Sequence, residues 1–222
     1  MAMKNIIFDF DGTLADTAPL IVATMQKSIE DMGLPFRNDD QIKATIGLRL
    51  EEIPSNLGYE IENIGDTFGS IYRKNFEELK YEIQVRLFEG VKETLTILKE
   101  KGYKMAIATS RSQRSVLELT ESLGIQEYFD YLLGGDNVLE GKPNPESIFK
   151  ILKDRNWKIE DTIMIGDMAV DILMGRKAGT KTCGVTYGNG KAAQLKEAGA
   201  SFIIDSIKAL TVILEEEVKE ER

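Results

Sequence analysis

Four short stretches of this chain carry the side chains able to do chemistry. Asp9-Phe10-Asp11-Gly12-Thr13 sets two carboxylates two residues apart at the end of an apolar run, Asn5-Ile6-Ile7-Phe8. Thr109-Ser110-Arg111 follows a second apolar run. Gly141-Lys142-Pro143-Asn144-Pro145 holds a lysine just before a helix, with Asn144 as a candidate cap and Pro145 suited to the first helical position. Gly166-Asp167 closes a third apolar run, and Asp171 stands one helical turn further on. Singly, each has a plain structural explanation: turn carboxylates, a helix cap, a surface lysine, acidic groups favoured at the positive end of a helix. Together they form a set of carboxylates, hydroxyls and one cation. Gathering carboxylates with nothing between them is costly, because like charges raise one another's pKa, and a divalent cation resolves the conflict.

Composition narrows the chemistry further. The 222 residues include no histidine. That removes Ser-His-Asp and Cys-His catalysis, histidine-ligated zinc and a histidine general base. Carboxylates must then carry the acid–base work, and oxygen ligands must hold any metal, which favours Mg²⁺, Ca²⁺ or Mn²⁺. The single cysteine, Cys183, permits no internal disulfide and reads as a small core residue in a strand-like run, Thr180–Thr186. Lys and Arg number 28 against 37 Asp and Glu, a net charge of −9. This argues against a nucleic-acid partner, whose binding rests on neutralising phosphates. The acidic tail, Glu215-Glu216-Glu217 with Glu220-Glu221, reads as a solvated helix face. No apolar run is long enough to cross a membrane, so no membrane partner is expected. Met1–Lys4 lacks the regions of a signal peptide, and a cytoplasmic protein is expected.

The elements that must position these residues follow from apolar spacing. Lys4–Asp9 reads as a buried parallel strand. From Asp16 to Tyr81 the spacing is helical, broken at Gly33-Leu34-Pro35, Ile46-Gly47, Pro54 and Gly58, and predicts about four helices and no strand. Beyond Phe88 strands and helices alternate. Strands are predicted at Lys104–Ala108, Asp130–Leu133, Thr162–Ile165, Thr180–Thr186 and Ser201–Ile204. Helices are predicted at Val91–Lys101, Ser112–Leu123, Pro145–Lys153, Ala169–Ala178, Ala192–Ala198 and Ser206–Glu217, with Gly102, Gly124, Gly179 and Gly199 past their ends. Such alternation implies an α/β fold, a Rossmann-like parallel sheet core covered on both faces. The first strand belongs with the later ones, so residues 1–15 and 88–222 form the core and 16–87 an inserted all-helical cap. Open α/β sheets bind ligands at the carboxyl ends of their strands, and every residue singled out above falls there.

The chemistry then takes a definite form. Asp9 and Asp167, with the backbone carbonyl of Asp11, can hold a hard cation that shields an incoming phosphate from the carboxylates. One Asp9 oxygen can attack phosphorus in line. Lys142, the Thr109 hydroxyl and the Ser110 N–H can bind the equatorial oxygens. Asp11 can protonate the leaving group and later deprotonate a water, its protonated form favoured by the surrounding negative charge. Gly12 allows the sharp turn that follows, with Thr13 behind it.

These motifs, Asp9-Phe10-Asp11-Gly12-Thr13-Leu14, Thr109, Lys142 and Gly166-Asp167-x-x-x-Asp171, resemble in order the four motifs of the haloacid dehalogenase superfamily. The match spans nearly the whole chain. The helical insert is similar to the cap of the phosphoglycolate phosphatase and β-phosphoglucomutase branch. The resemblance implies a five-stranded core, a mobile helical cap and Mg²⁺. It also implies an Asp9 nucleophile, an Asp11 acid–base and Asp171 orienting Lys142 or metal water. Dehalogenases lack the second acidic residue, so Asp11 points to a phosphatase. Ile21 stands where the mutase branch has a histidine, so mutase activity is not expected. A phosphoglycolate-type phosphatase acting on a small phosphorylated metabolite remains, with pyrophosphatase and sugar-phosphate or nucleotide phosphatase as alternatives. The loop Ile46-Gly47-Leu48-Arg49 resembles the cap loop that dips toward the core site, and Arg49 is a candidate substrate contact, as is Arg111. Monomer and homodimer are equally compatible with the sequence.

Two other readings weaken on detail. Gly184 to Lys191 resembles a nucleotide phosphate loop, but its glycines are one residue too far apart and Ala192 replaces the required hydroxyl. The helical insert and Asp11 argue against a receiver-like domain phosphorylated on Asp9 without turnover.

Overall fold

The structure, a computed structural model, describes residues 3–219. The chain opens with β1 (Asn5–Phe8) and β2 (Ala15–Asp16), then runs through α1 (Ala18–Asp31), α2 (Asp39–Lys43), α3 (Ile53–Asn56) and α4 (Ile64–Leu79) to β3 (Arg86–Leu87). Alternation follows: α5 (Val91–Glu100), β4 (Lys104–Ala108), α6 (Gln113–Ser122), β5 (Tyr131–Leu133), α7 (Glu146–Arg155), β6 (Thr162–Gly166), α8 (Ala169–Ala178), β7 (Lys181–Val185), α9 (Ala192–Glu197), β8 (Phe202–Ile204) and α10 (Leu210–Lys219). Glu215 pairs with Lys101, while Glu220 and Glu221 of the acidic tail lie outside the described residues.

Six strands form one parallel sheet in the order β5-β4-β1-β6-β7-β8. The sixth, β8, pairs with β7 at the edge. The six apolar runs predict this number, and the five implied by resemblance is one too few. The strands read as continuous apolar runs because both faces are buried. Side chains alternate between two separate clusters: Ile6, Phe8, Met105, Ile107, Ile163 and Ile165 pack on one face with α5 and α10. Ile7, Ala106, Ala108 and Met164 pack on the other with Ile148, Ile151 and Met174. Period-two side-chain direction in a strand produces this division.

The helices between β2 and β3 gather a third core of their own, including Ala18, Val22, Met25, Ile42, Ile53, Ile64 and a fully buried Phe68. Asn75 of α4 ties this unit together, donating to Ser28 Oγ at 3.1 Å and Asp31 Oδ2 at 2.9 Å on α1. Four helices are present as predicted, two of them only 5 and 4 residues long. The all-helical reading of 16–87 missed the two-residue strands at its ends, β3 and, reaching in to Asp16, β2. β2 pairs antiparallel with β3, Ala15 opposite Leu87 and Asp16 opposite Arg86, where the chain leaves the sheet unit and returns. Two-residue strands carry no periodicity from which to read them.

The shared helical core leads to a direct expectation. Phe68→Ala should cost about 3–5 kcal/mol, the usual range for emptying a buried aromatic site. Urea unfolding followed by circular dichroism measures it. A loss below about 1 kcal/mol, typical of a surface change, would mean that these helices do not depend on one core.

Candidate active site

β1 lies between β4 and β6, so the residues after these three strands converge at one edge of the sheet. Asp9 directly follows β1, and its N–H donates to the Ile165 carbonyl at 2.8 Å. Asp167 follows β6. Asp171 occupies the first turn of α8, where its Oδ2 accepts from the Met168 N–H at 3.0 Å and meets the positive end of the helix. Asp9, Asp167 and Asp171 each offer an oxygen within 4.8 Å of the others. All three are buried. The buried Lys142 ammonium donates to Asp171 Oδ1 at 2.7 Å and also to Asp9 Oδ1. The helix beyond it begins one residue later than predicted: Pro145 is the flanking residue of α7, and Asn144 Oδ1 accepts from the Glu146 N–H at 3.0 Å.

Asp11 is not one of these three, although its charge also bears on Asp9. Its carboxylate accepts from Arg111 Nε at 2.8 and 2.9 Å and from Thr17 Oγ1 at 2.6 Å. The crowd of negative charge expected around it is therefore met by a guanidinium. Arg111 also donates to Ser115 Oγ at 3.0 Å and lies 5.3 Å from the centre of the Phe76 ring. The Thr109 hydroxyl accepts from the Arg111 N–H at 3.2 Å. Gly12 takes φ +84°, and a side chain there would collide with Asp167 and Asn189. Thr13 donates from Oγ1 to Asp167 Oδ1 at 3.2 Å.

The helical unit reaches the sheet edge through residues 46–50. Ser110 Oγ donates to the Gly47 carbonyl at 2.6 Å. Arg49 spends its guanidinium on three backbone carbonyls of the sheet unit, Leu139 at 2.6 Å, Val138 at 2.7 Å and Gly135 at 3.1 Å. It fastens the two units together in this arrangement. Between them lies a cavity of about 790 Å³, walled by Ile21, Met25, Tyr72 and Phe76 on one side and by Asp11, Ser110 and Arg111 on the other.

Residues 6–185 match the family model of the haloacid dehalogenase-like hydrolases. The chain belongs to that family. It is 36% identical over 207 residues to a Dickeya dadantii (strain 3937) protein named "Probable phosphatase IndB", covering 90% of this chain and 89% of that one. It is 30% identical over 224 residues to the phosphoglycolate phosphatase of Vibrio parahaemolyticus, covering 96% of each. A solved structure from Bacteroides fragilis, described as haloacid dehalogenase-like, superposes with a TM-score of 0.89 at 30% identity, covering 94% of this chain and 99% of that one.

In this haloacid dehalogenase-like hydrolase the buried cluster sets three carboxyl groups against one ammonium, so full ionisation would leave surplus negative charge. Burial pushes the Asp9 carboxyl well above its ordinary range, a shift that Lys142 opposes and Asp171 and Asp167 reinforce. Burial, and then Asp171, raise Asp167 to about 7, while the Asn189 N–H works the other way. Burial alone would lower Lys142, but Asp171 and Asp9 outweigh it and hold the ammonium charged. A compact, all-oxygen, electron-rich site of this kind suits a hard dication such as Mg²⁺. Cys183 has no part in it, since burial lifts its thiol to about 12.

Sequence reading missed the residues that flank the motifs. Asn189 donates to Asp167 Oδ2 from its backbone N–H at 2.7 Å and from Nδ2 at 3.2 Å. Tyr187 donates from its hydroxyl to the Thr13 carbonyl at 2.8 Å. Only the glycine-rich run from Gly184 to Lys191 marked that loop. Thr17, Tyr72 and Phe76 gave no signal, since threonines and aromatics on helices are commonplace.

The raised carboxyls set a pH dependence. A carboxyl whose folded pKa lies above its ordinary 3.8 is favoured in its protonated form by folding. Metal-free protein should therefore lose stability as pH rises from about 4 through about 7, with Asp9 adding to the same trend. Mg²⁺ should raise Tm more at about pH 8 than at about pH 5, because it competes with the protons. Thermal melts in EDTA and in Mg²⁺ test this; a Mg²⁺ increment equal at both pH values would count against a cation among these carboxylates.

Proposed function

We propose that this protein is a Mg²⁺-dependent phosphatase of small phosphate monoesters, working through an aspartyl-phosphate on Asp9. The observation that carries this reading is the buried grouping of Asp9, Asp167 and Asp171 around Lys142 at the carboxyl ends of β1 and β6. A Mg²⁺ ion bound by Asp9 and Asp167, with Asp171 alongside, would neutralise the cluster and let a phosphate dianion approach.

Asp9 Oδ1 is held by Lys142, which leaves the other carboxylate oxygen to attack. A bond forms between that oxygen and phosphorus as the bond from phosphorus to the leaving oxygen breaks. Lys142 and the Thr109–Ser110 turn stabilise the equatorial oxygens, where charge accumulates. Asp11 delivers a proton to the leaving oxygen. In the second half a water attacks phosphorus, Asp11 takes its proton, and the bond to Asp9 breaks to give inorganic phosphate.

Arg111 holds Asp11 in the present arrangement. An anionic group on the leaving portion of the substrate would draw Arg111 to itself and release Asp11 for proton transfer. A carboxylate, as in phosphoglycolate, fits this requirement, and a relative named for that activity aligns along nearly the full chain. The cavity of about 790 Å³ favours a second reading, a larger leaving group such as a sugar, because it far exceeds what two carbons and a carboxylate occupy. The helical unit 16–87 is proposed as the cap that encloses this leaving group.

A panel of phosphate esters measured with Mg²⁺ tests the proposal. The protein should hydrolyse p-nitrophenyl phosphate, and EDTA should abolish the activity. Asp9→Asn should be folded and inactive, and Asp11→Asn should lose about 10²–10⁴ in kcat. Normal turnover by Asp9→Asn would overturn the nucleophile. Comparing phosphoglycolate with hexose phosphates in the parent and in Arg111→Ala separates the two leaving-group readings. Arg111→Ala should selectively lose kcat/KM on the carboxylate substrate if the first holds.

A further inference from the structure

We propose that the turn Gly188-Asn189-Gly190 after β7 is a positioning element for Asp167, and that Asn189 thereby sets the affinity of the cation site. The inference rests on the phosphatase reading above. The segment Gly184–Lys191 fails as a nucleotide loop, yet its glycines have a clear physical purpose. β7 pairs beside β6, so the turn leaving β7 passes directly over the residue leaving β6. A Cβ at Gly188 would run into the Gly12 carbonyl and the Asp167 side chain, and one at Gly190 would run into the Asp167 carbonyl. Neither glycine takes a positive φ. Both are there for room, which lets the backbone close onto Asp167.

That approach delivers two donors to one oxygen. Asp167 Oδ2 accepts the Asn189 N–H at 2.7 Å and Nδ2 at 3.2 Å, which occupies both of its lone pairs. Oδ1 accepts the Thr13 hydroxyl at 3.2 Å, the one side-chain donor it has among the described residues. Oδ1, opposite the Asn189 donors, is thus the oxygen more open to a cation. Tyr187 fastens the turn from the other side through its bond to the Thr13 carbonyl, and its ring packs 4.9 Å from that of Phe88. Without these donors a carboxylate in a fully buried position could rotate and present either oxygen. Partners of this kind behind a metal ligand are worth roughly 10–100-fold in metal affinity.

Calorimetric titration of Mg²⁺ into the metal-free protein reads this directly. Asn189→Ala keeps the backbone donor and should weaken Mg²⁺ about tenfold, the lower end of that range. Asn189→Asp matches the side chain in size but turns a donor into a like charge, and should weaken binding further. Melting temperatures in EDTA and circular dichroism check the folding of both variants. In ¹⁵N-labelled parent protein the Asn189 backbone and side-chain amide signals should shift on Mg²⁺ addition, a measurement that needs no variant. Mg²⁺ affinity in Asn189→Ala within twofold of the parent, or Asn189 signals that do not respond to the ion, would overturn the positioning role. If the parent still binds Mg²⁺ and hydrolyses p-nitrophenyl phosphate, the phosphatase reading survives that result. A parent that binds no Mg²⁺ overturns both.

Discussion

The structure is organised around an excess of acidic groups that has been taken out of water. Three carboxylates and one ammonium sit at the end of the sheet with almost no solvent contact. Burying an unpaired carboxylate is among the costliest things a fold can do, and removing one member of such a group leaves another charge uncompensated. The surrounding fold therefore has to hold these groups against their own repulsion. It does so with the most rigid part available, the central strand β1 and its neighbours β4 and β6, each buried on both faces. Asp9 and Asp167 leave their strands side by side because Phe8 and Ile165 are paired in register.

A second layer of polar groups keeps the cluster from relaxing. Lys142 bridges Asp9 and Asp171. Asp171 is in turn fixed by the Met168 N–H, and Asp167 by Thr13 and Asn189. Glycine recurs in these turns for want of space: at Gly166 a side chain would strike Asp171. The cost of closeness is thus met by the backbone, where N–H donors need no side-chain entropy to be ordered. A cation entering such a site meets oxygens already aimed, which is the condition under which electrostatic stabilisation is most effective.

Much of this was legible in the sequence, for identifiable reasons. Buried parallel strands write themselves as apolar runs, so all six strands of the parallel sheet could be read, and strand-end carboxylates at Asp9 and Asp167 could be placed together by topology alone. Lys142 and Asp171 were legible because they stand beside turn and helix-start signals. What escaped was whatever depends on a partner remote in sequence. Asp11 looks like one more member of an acidic crowd until Arg111, a hundred residues away, is seen to hold it. Arg49 reads equally as a substrate ligand or a surface charge, and its three bonds to carbonyls near Gly135 become visible only when the two units are docked. Asn189 lies in a loop whose glycines pointed to the wrong ligand class.

The same division explains why reaction class is easier to infer than substrate. The carboxylate cluster narrows the choice, since burial, like charge and the absence of histidine all favour a hard dication and, on the proposed reading, an anionic electrophile. The cavity wall is built from Ile21, Met25, Tyr72 and Phe76, residues that also serve as helix packing and so carry no distinctive pattern. Its volume depends on how the helical unit rests on the sheet unit, and that in turn on the contacts of Gly47 and Arg49 with the core. A small change in that docking would resize the cavity without moving any carboxylate. On the phosphatase reading, chemistry would be fixed by groups within one sheet edge and selectivity across a boundary between two cores. The two properties could then change independently.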